Sequence, residues 1–218
     1  MIVRAASPGQ SLIDVPGELC LGIWLCGCNL RCRFCHNWRI ADGDPSVCRE
    51  FPLEELVREV EIASAVATCL LASGGEPLLQ LDAVIELGRA AKRLGMFFAV
   101  ETNATLPRRL ERLVRAVAPD AVFLDVKAPP EVAGDGYDPK AVIESLRVLR
   151  RLGVSATIRV PTYRELYESC PRYREIVAKA VEEALSAYPS ARVERIWIDS
   201  SIAREPGFVN VLKRSLCV

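Results

Sequence analysis

Residues 26–37 read CGCNLRCRFCHN, placing four cysteines and the chain's only histidine within twelve residues. Thiolates at this density are metal ligands or redox groups before they are packing residues. Cys28, Cys32 and Cys35 are spaced CxxxCxxC, so one short loop can curl around a compact object and present three thiolates to it. A structural zinc site takes four ligands, usually as two separated pairs. A single triplet suits a cubane iron–sulfur cluster with one iron left without a protein ligand. Cys26 or His36 would complete a Cys₄ or Cys₃His zinc set, so zinc stays open on spacing alone. Cys26 is expected to belong still to the preceding strand, one step back from the loop on the same face as Cys28. His36 is as well suited to hydrogen bonding beside a metal group as to ligating it.

The other cysteines, Cys20, Cys48, Cys69, Cys170 and Cys217, form no second cluster. Cys20 and Cys69 lie in apolar strand-like runs and read as packing. Whether any of the five pair is open. Nine cysteines suggest metal or redox chemistry in a reducing compartment. Asn and Gln total only six, a mild sign of thermophily, and hyperthermophile proteins do use intracellular disulfides.

The 28 basic and 28 acidic side chains balance, leaving no broad footprint for nucleic acid or an anionic membrane. No apolar run reaches the ~18 residues of a membrane span, and MIVRAASPGQ lacks the apolar core of a signal peptide. A cytoplasmic protein is expected, organised as one domain over 1–218. It divides into a loop at 26–37, a core over about 18–200 and a tail at 202–218.

Something must position the loop. Short apolar runs alternate with amphipathic ones. The strand candidates are 19–25, 68–72, 97–102, 121–126, 156–160 and 195–199. Apolar stripes at helical spacing run through Leu53, Leu56, Val57 and Val60; Val84, Leu87, Ala91 and Leu94; Leu106, Leu110, Leu113 and Val117; Val142, Leu146 and Leu149; and Tyr173, Ile176, Val177, Ala180 and Ala184. Gly95 and Gly153 sit where left-handed helix ends are expected. Six βα units imply a parallel sheet with right-handed crossovers, open or curled into a barrel, with chemistry at the C-terminal strand ends. The unusual polar stretches all follow strands: the cysteine loop, SGGEP (73–77), ETNAT (101–105), DVK (125–127), RVPTY (159–163) and DSS (199–201).

CxxxCxxC with the aromatic Phe34 before the third cysteine resembles the signature of radical S-adenosylmethionine enzymes. SGGEP resembles the GGE motif of that superfamily, and ETNAT, DVK and RVP follow in the expected order over roughly residues 10–165. The resemblance implies an α/β fold, a partial (β/α)₆ barrel of TIM type with parallel strands. It implies one 4Fe–4S cluster on Cys28, Cys32 and Cys35, whose fourth iron binds S-adenosylmethionine, and reductive cleavage of that cofactor to methionine and a 5′-deoxyadenosyl radical. SLIDVPG (11–17) and CHN (35–37) are further similar to activating enzymes of glycyl-radical proteins, first those of anaerobic ribonucleotide reductase and next those of pyruvate formate-lyase. That implies a glycyl-radical protein as partner and a flavodoxin- or ferredoxin-type electron donor. In that family Gly usually follows TN; here Ala104 stands there, at a steric cost if the backbone φ is positive. No later histidine exists; Thr162, Tyr163 and Asp199 are the candidates to replace one.

On this resemblance Phe34 is expected beside the adenine, and Gly74 and Gly75 at the methionine portion. Glu76 is expected at its ammonium and Lys127 at its carboxylate. Lys127 could instead be a surface lysine, and Arg159 a solvated arginine or a cavity residue. Glu101, Thr102 and Asp125 are placed near the ribose or a bound monovalent or divalent cation. Glu101 and Asp125 would repel unless Lys127 or a metal cation lay between them. The short tail and lead-in are read as leaving little chain for a lid over a small substrate. Two other readings compete. SGGEPLLQ and ETNAT also resemble 7-carboxy-7-deazaguanine synthase, which acts on a small molecule. A non-catalytic zinc- or cluster-bearing module would give GGEP and DVK no role.

Overall fold

The computed structural model describes residues 1–217. In chain order its elements are β1 (Ile2–Ala5), β2 (Gly9–Ser11), β3 (Cys20–Leu25), α1 (Trp38–Asp42), β4 (Arg49–Pro52), α2 (Leu53–Ala63), β5 (Cys69–Gly74), α3 (Leu81–Arg93), β6 (Phe97–Thr102), α4 (Pro107–Val117), β7 (Ala121–Asp125), α5 (Pro139–Leu152), β8 (Ser155–Thr162), α6 (Arg164–Ser169), α7 (Pro171–Ala187), β9 (Arg192–Trp197) and α8 (Phe208–Leu216). The sheet runs β4-β1-β3-β5-β6-β7-β8-β9, with β2 also on β3. From β3 to β9 every neighbouring pair is parallel, and these six strands are the six units expected from sequence. β3, β5 and β7 are buried almost throughout because both faces are covered, which is why they read as continuous apolar runs. The helices turn their apolar stripes onto the sheet: Leu56 and Val60, Val84 and Leu87, Leu110 and Leu113, Leu146 and Leu149 are all buried. Gly95 and Gly153 hold φ of 73° and 70°, the left-handed ends that were expected.

Three strands go beyond the expected six. β1 and β2 run antiparallel beside β3, and β4 pairs with β1. They are three or four residues long and mostly exposed, so their sequences carry little apolar signal. The last strand begins three residues earlier than expected and ends at Trp197. Its alternating Arg-Val-Glu-Arg composition hid it, because it is an exposed edge strand. The stretch read as a tail contains α8. Among the described residues no helix is long and apolar enough to cross a membrane.

The cysteines pair more than their scatter suggested. Cys26 is not part of β3, which ends at Leu25; it bonds Cys48, and Cys170 bonds Cys217. Cys20 and Cys69 face each other in register across β3 and β5, unpaired and fully buried, as packing residues. The two disulfides close sequence separations of 22 and 47 residues. Chain-entropy arguments give such loops about 3 and about 4 kcal/mol of stability. Cys217→Ser is therefore expected to lower the thermal midpoint by roughly 10 °C at this chain length. A midpoint unchanged by this substitution, or by reductant, would show that the pair does not form.

Candidate functional site

All the expected site residues except Glu76 line one cavity of about 400 Å³ at the C-terminal ends of the parallel strands. Cys28, Cys32 and Cys35 enter it from the loop after β3. None of the three is in a disulfide. Burial pushes all three thiols up, Cys35 to about 11; neighbouring cysteines also raise Cys28 and Cys35, while Lys127 draws all three down. Among the described residues no three His, Cys, Asp or Glu side chains converge closely enough to hold a single metal ion. Cys28, Cys32 and Cys35 are three free thiols lining one cavity beside the Lys127 ammonium, a donor set that suits a polynuclear cluster. Of the two groups considered as a fourth zinc ligand, Cys26 is taken by Cys48, and His36 Nε2 accepts a hydrogen bond from Asp199 N at 3.1 Å.

The loop keeps its shape because the SGGEP turn packs against it. Gly75 N donates to Leu25 O and Glu76 N to Gly27 O, both at 2.8 Å. Gly74 has φ +118°, and a Cβ on Gly75 would lie 2.1 Å from Gly27 O. Only glycine allows that approach.

Glu76 differs from its expected role. It is fully buried and not at the cavity wall. Its carboxylate accepts from Leu78 N, Asn103 N and Thr102 Oγ1 at 2.8–3.0 Å. Burial pushes it up to about 7 against those hydrogen bonds. Glu76 thus ties the turn after β5 to the end of β6, and through Thr102 and Asn103 it shapes the cavity indirectly.

Lys127 is not a surface lysine: it is 4% exposed. Its Nζ lies 2.6 Å from Asp125 Oδ2 and 5.4 Å from the Phe34 ring centroid. Burial opposes its charge, but Asp125 and the Cys32 thiol overcome this and hold it as an ammonium. Arg159 is not solvated either; its side chain is 12% exposed and pairs with Glu101 and Glu194. The two carboxylates at the strand ends therefore do not share a cation. Lys127 serves Asp125, and Arg159 serves Glu101. Ser73 Oγ also bonds Glu101.

Asn103 went unassigned in the sequence, although it sits in ETNAT. Its Nδ2 lies 3.6 Å from Cys28 Sγ and 2.9 Å from Asn29 Oδ1, so it steadies the loop and offers a donor to a ligating sulfur. Ala104 does adopt a positive φ of 61° and is fully buried. Thr102 Oγ1 accepts from its N–H and Ser145 Oγ donates to its carbonyl, holding the left-handed geometry despite the methyl group. Thr162 and Tyr163 are buried away from the cavity, and Asp199 instead holds His36. A wider hollow of about 600 Å³ between α7 and β9 contains none of the motif residues.

Residues 23–184 match the model of the Radical SAM superfamily. The chain belongs to this superfamily. The chain is 38% identical over 117 residues to a protein of Methanocaldococcus jannaschii named for glycyl-radical enzyme activation, across 54% of the chain and 47% of that protein. It is 29% identical over 180 residues to the pyruvate formate-lyase-activating enzyme of Clostridium pasteurianum, covering 77% and 73% respectively. It is also 35% identical over 114 residues to 7-carboxy-7-deazaguanine synthase of Hyperthermus butylicus, covering 49% and 46%. The match to the first and last of these spans about half of their length. Two solved structures share the fold: Streptococcus suis SuiB bound to its precursor peptide SuiA (TM-score 0.63, 16% identity, 87% of this chain and 44% of that one) and QueE of Escherichia coli (TM-score 0.55, 15% identity, 97% and 92%). The superfamily implies a 4Fe–4S cluster and S-adenosylmethionine, and the free thiols at 28, 32 and 35 suit the first.

Proposed function

We propose that the chain activates a glycyl-radical protein by taking a hydrogen atom from one of its glycines, with anaerobic ribonucleotide reductase the first candidate. The observation that carries glycyl-radical activation is the match to the Clostridium pasteurianum activating enzyme, which extends over 77% of the chain; the reductase stands first on the resemblance of SLIDVPG (11–17) and CHN (35–37). The motif residues singled out in the sequence, Glu76 excepted, line one cavity. Cys28, Cys32 and Cys35 would hold the 4Fe–4S cluster, with Asn103 donating toward Cys28. Gly74 and Gly75 let the backbone come close to the methionine end of the cofactor, and Lys127 offers its carboxylate a cation. Phe34 supplies an apolar face for the adenine. Ser73, Glu101 and Thr102 offer hydrogen-bond partners for the ribose, and Asp125 and Arg159 set the charge around them. When bound, the cluster and S-adenosylmethionine supply an electron, delivered by a flavodoxin- or ferredoxin-type donor, and a hydrogen-abstracting 5′ carbon. The protein's part is to orient that carbon and to keep water from it. Since each carboxylate has its own cationic partner, no inorganic cation is required. A backbone glycine is a sensible target because its α-carbon radical is delocalised over the flanking amides.

The test is electron paramagnetic resonance of an anaerobic mixture of loaded protein, S-adenosylmethionine, reductant and the ribonucleotide reductase protein. A doublet from one α-hydrogen on the partner is expected. Cofactor cleavage without a signal on any glycyl-radical protein would move the reading to a small-molecule substrate, as in 7-carboxy-7-deazaguanine synthase.

Lys127→Met is expected to retain iron but to bind S-adenosylmethionine about 10- to 100-fold more weakly, the loss of one charge-assisted contact. Equilibrium binding to the loaded variant checks this. Normal binding would remove Lys127 from the cofactor site.

A further inference from the structure

Asn103 follows β6 directly and is buried, and both ends of its side-chain amide have partners. Its Oδ1 accepts from Thr105 N at 3.0 Å and from Thr105 Oγ1 at 2.6 Å. A backbone N–H only donates, so the oxygen must face Thr105 and the amide nitrogen must face the cysteine loop. The two hydrogens on Nδ2 meet two acceptors there, Asn29 Oδ1 at 2.9 Å and Cys28 Sγ at 3.6 Å. Asn29 closes the ring by donating from Nδ2 to Thr105 Oγ1 at 2.8 Å.

The main chain is held as well. Asn103 N donates to Glu76 Oε2 at 2.8 Å, and Glu76 is fully buried. The amide therefore approaches the sulfur from a backbone and a side chain that are both fixed. Leu30 N also points at Cys28 Sγ, at 3.4 Å. Cys28 thus has two N–H donors on its sulfur, one from its own loop and one brought by the end of a neighbouring strand.

We propose that Asn103 is a positioning residue that acts on electron transfer through Cys28: its N–H on that sulfur makes the bound cluster easier to reduce. The step is a one-electron reduction, in which an external donor of flavodoxin or ferredoxin class loses the electron and the cluster gains it. A hydrogen bond to sulfur strengthens as negative charge on the sulfur grows, so a fixed donor favours the reduced form. Thr105 and Asn29 keep that donor aimed. This rests on reading Cys28, Cys32 and Cys35 as the cluster ligands, and it needs no glycyl-radical partner.

The experiment uses anaerobically reconstituted full-length protein. It measures iron per chain and the ratio of reduced to oxidised cluster at a fixed solution potential. Asn103→Leu, close in size but without a donor, is expected to lower that ratio about tenfold, equivalent to about 59 mV for one electron, with iron content kept. Asn103→Asp keeps the acceptor for Thr105 N but turns an anion toward the sulfur, and is expected to lower the ratio further. The second readout is pulsed electron paramagnetic resonance of the reduced cluster in protein whose asparagines carry nitrogen-15 only in the side-chain amide. A coupling to one such nitrogen is expected in wild type. It should persist in Asn29→Asp, which retains the acceptor oxygen, and vanish in Asn103→Leu. If Asn103→Leu loses its iron, the coupling in wild type and in Asn29→Asp decides. An unchanged ratio in iron-replete Asn103→Leu, or no side-chain nitrogen coupling in wild type, overturns the proposal. Wild-type protein that takes up no iron would instead overturn the cluster reading beneath it.

Discussion

Cys32→Ala is expected to lower the iron content of reconstituted protein from about four per chain to less than one, and to abolish S-adenosylmethionine cleavage. The same is expected of Cys28→Ala and Cys35→Ala. All three side chains are unpaired and line the one cavity that the motifs share. Removing any one leaves an open-sided site with two thiolates. Cys26→Ser is the informative control. Its sulfur bonds Cys48, so the variant should lose stability but keep its iron. Iron analysis with the visible absorption of the cluster reads both effects. A full complement of iron in Cys32→Ala, or one zinc and no iron in the wild type, would contradict the assignment.

Gly75→Ala is expected to be nearly as damaging without removing any chemical group. The added Cβ would lie 2.1 Å from Gly27 O and 3.2 Å from the Ala41 Cα, both main-chain atoms that cannot rotate away. The contact it breaks, Glu76 N to Gly27 O, joins the SGGEP turn to the cysteine loop. Overpacking of this kind costs about 3 kcal/mol, and the relief open to the chain is to part the two loops. S-adenosylmethionine binding is therefore expected to weaken more than a hundredfold, with reduced iron loading. Gly95→Ala has no neighbour within 4 Å of its Cβ, and its only strain is φ +73°. It should cost about 1 kcal/mol and leave cofactor binding unchanged. Equal binding by Gly75→Ala and wild type would show that the close approach of the two loops is not needed.

These expectations also show which parts of the molecule the sequence makes legible. The central parallel strands are largely buried, so Cys69–Gly74 and Phe97–Thr102 stand out as short apolar runs. Glycine announces a close backbone approach because no other residue can make it, and Gly74 and Gly75 were placed on that ground. The identity of a side chain's partner is far less visible. Glu76 belongs to a recognisable motif, yet its carboxylate serves Leu78, Thr102 and Asn103, contacts that exist only once β5 and β6 lie side by side. Lys127 and Arg159 carry charges that composition assigns to the surface, and only the fold supplies the Asp125 and Glu101 that let them be buried. The short strands β1, β2 and β4, the first residues of β9 and the contacts of the stretch after β9 are not visible in the sequence for a related reason. They are exposed or irregular, and their hydrogen bonds are made to residues far away in sequence.

Transfer of label tests the account most directly. Ribonucleotide reductase protein made with α-deuterated glycine would be incubated anaerobically with the loaded protein, reductant and unlabelled S-adenosylmethionine, and the 5′-deoxyadenosine analysed by mass spectrometry. Deuterium in 5′-deoxyadenosine, together with collapse of the doublet in the partner's resonance, is the predicted result. 5′-Deoxyadenosine that stays unlabelled with every glycyl-radical protein, yet acquires label from a deuterated purine-like small molecule, would contradict it.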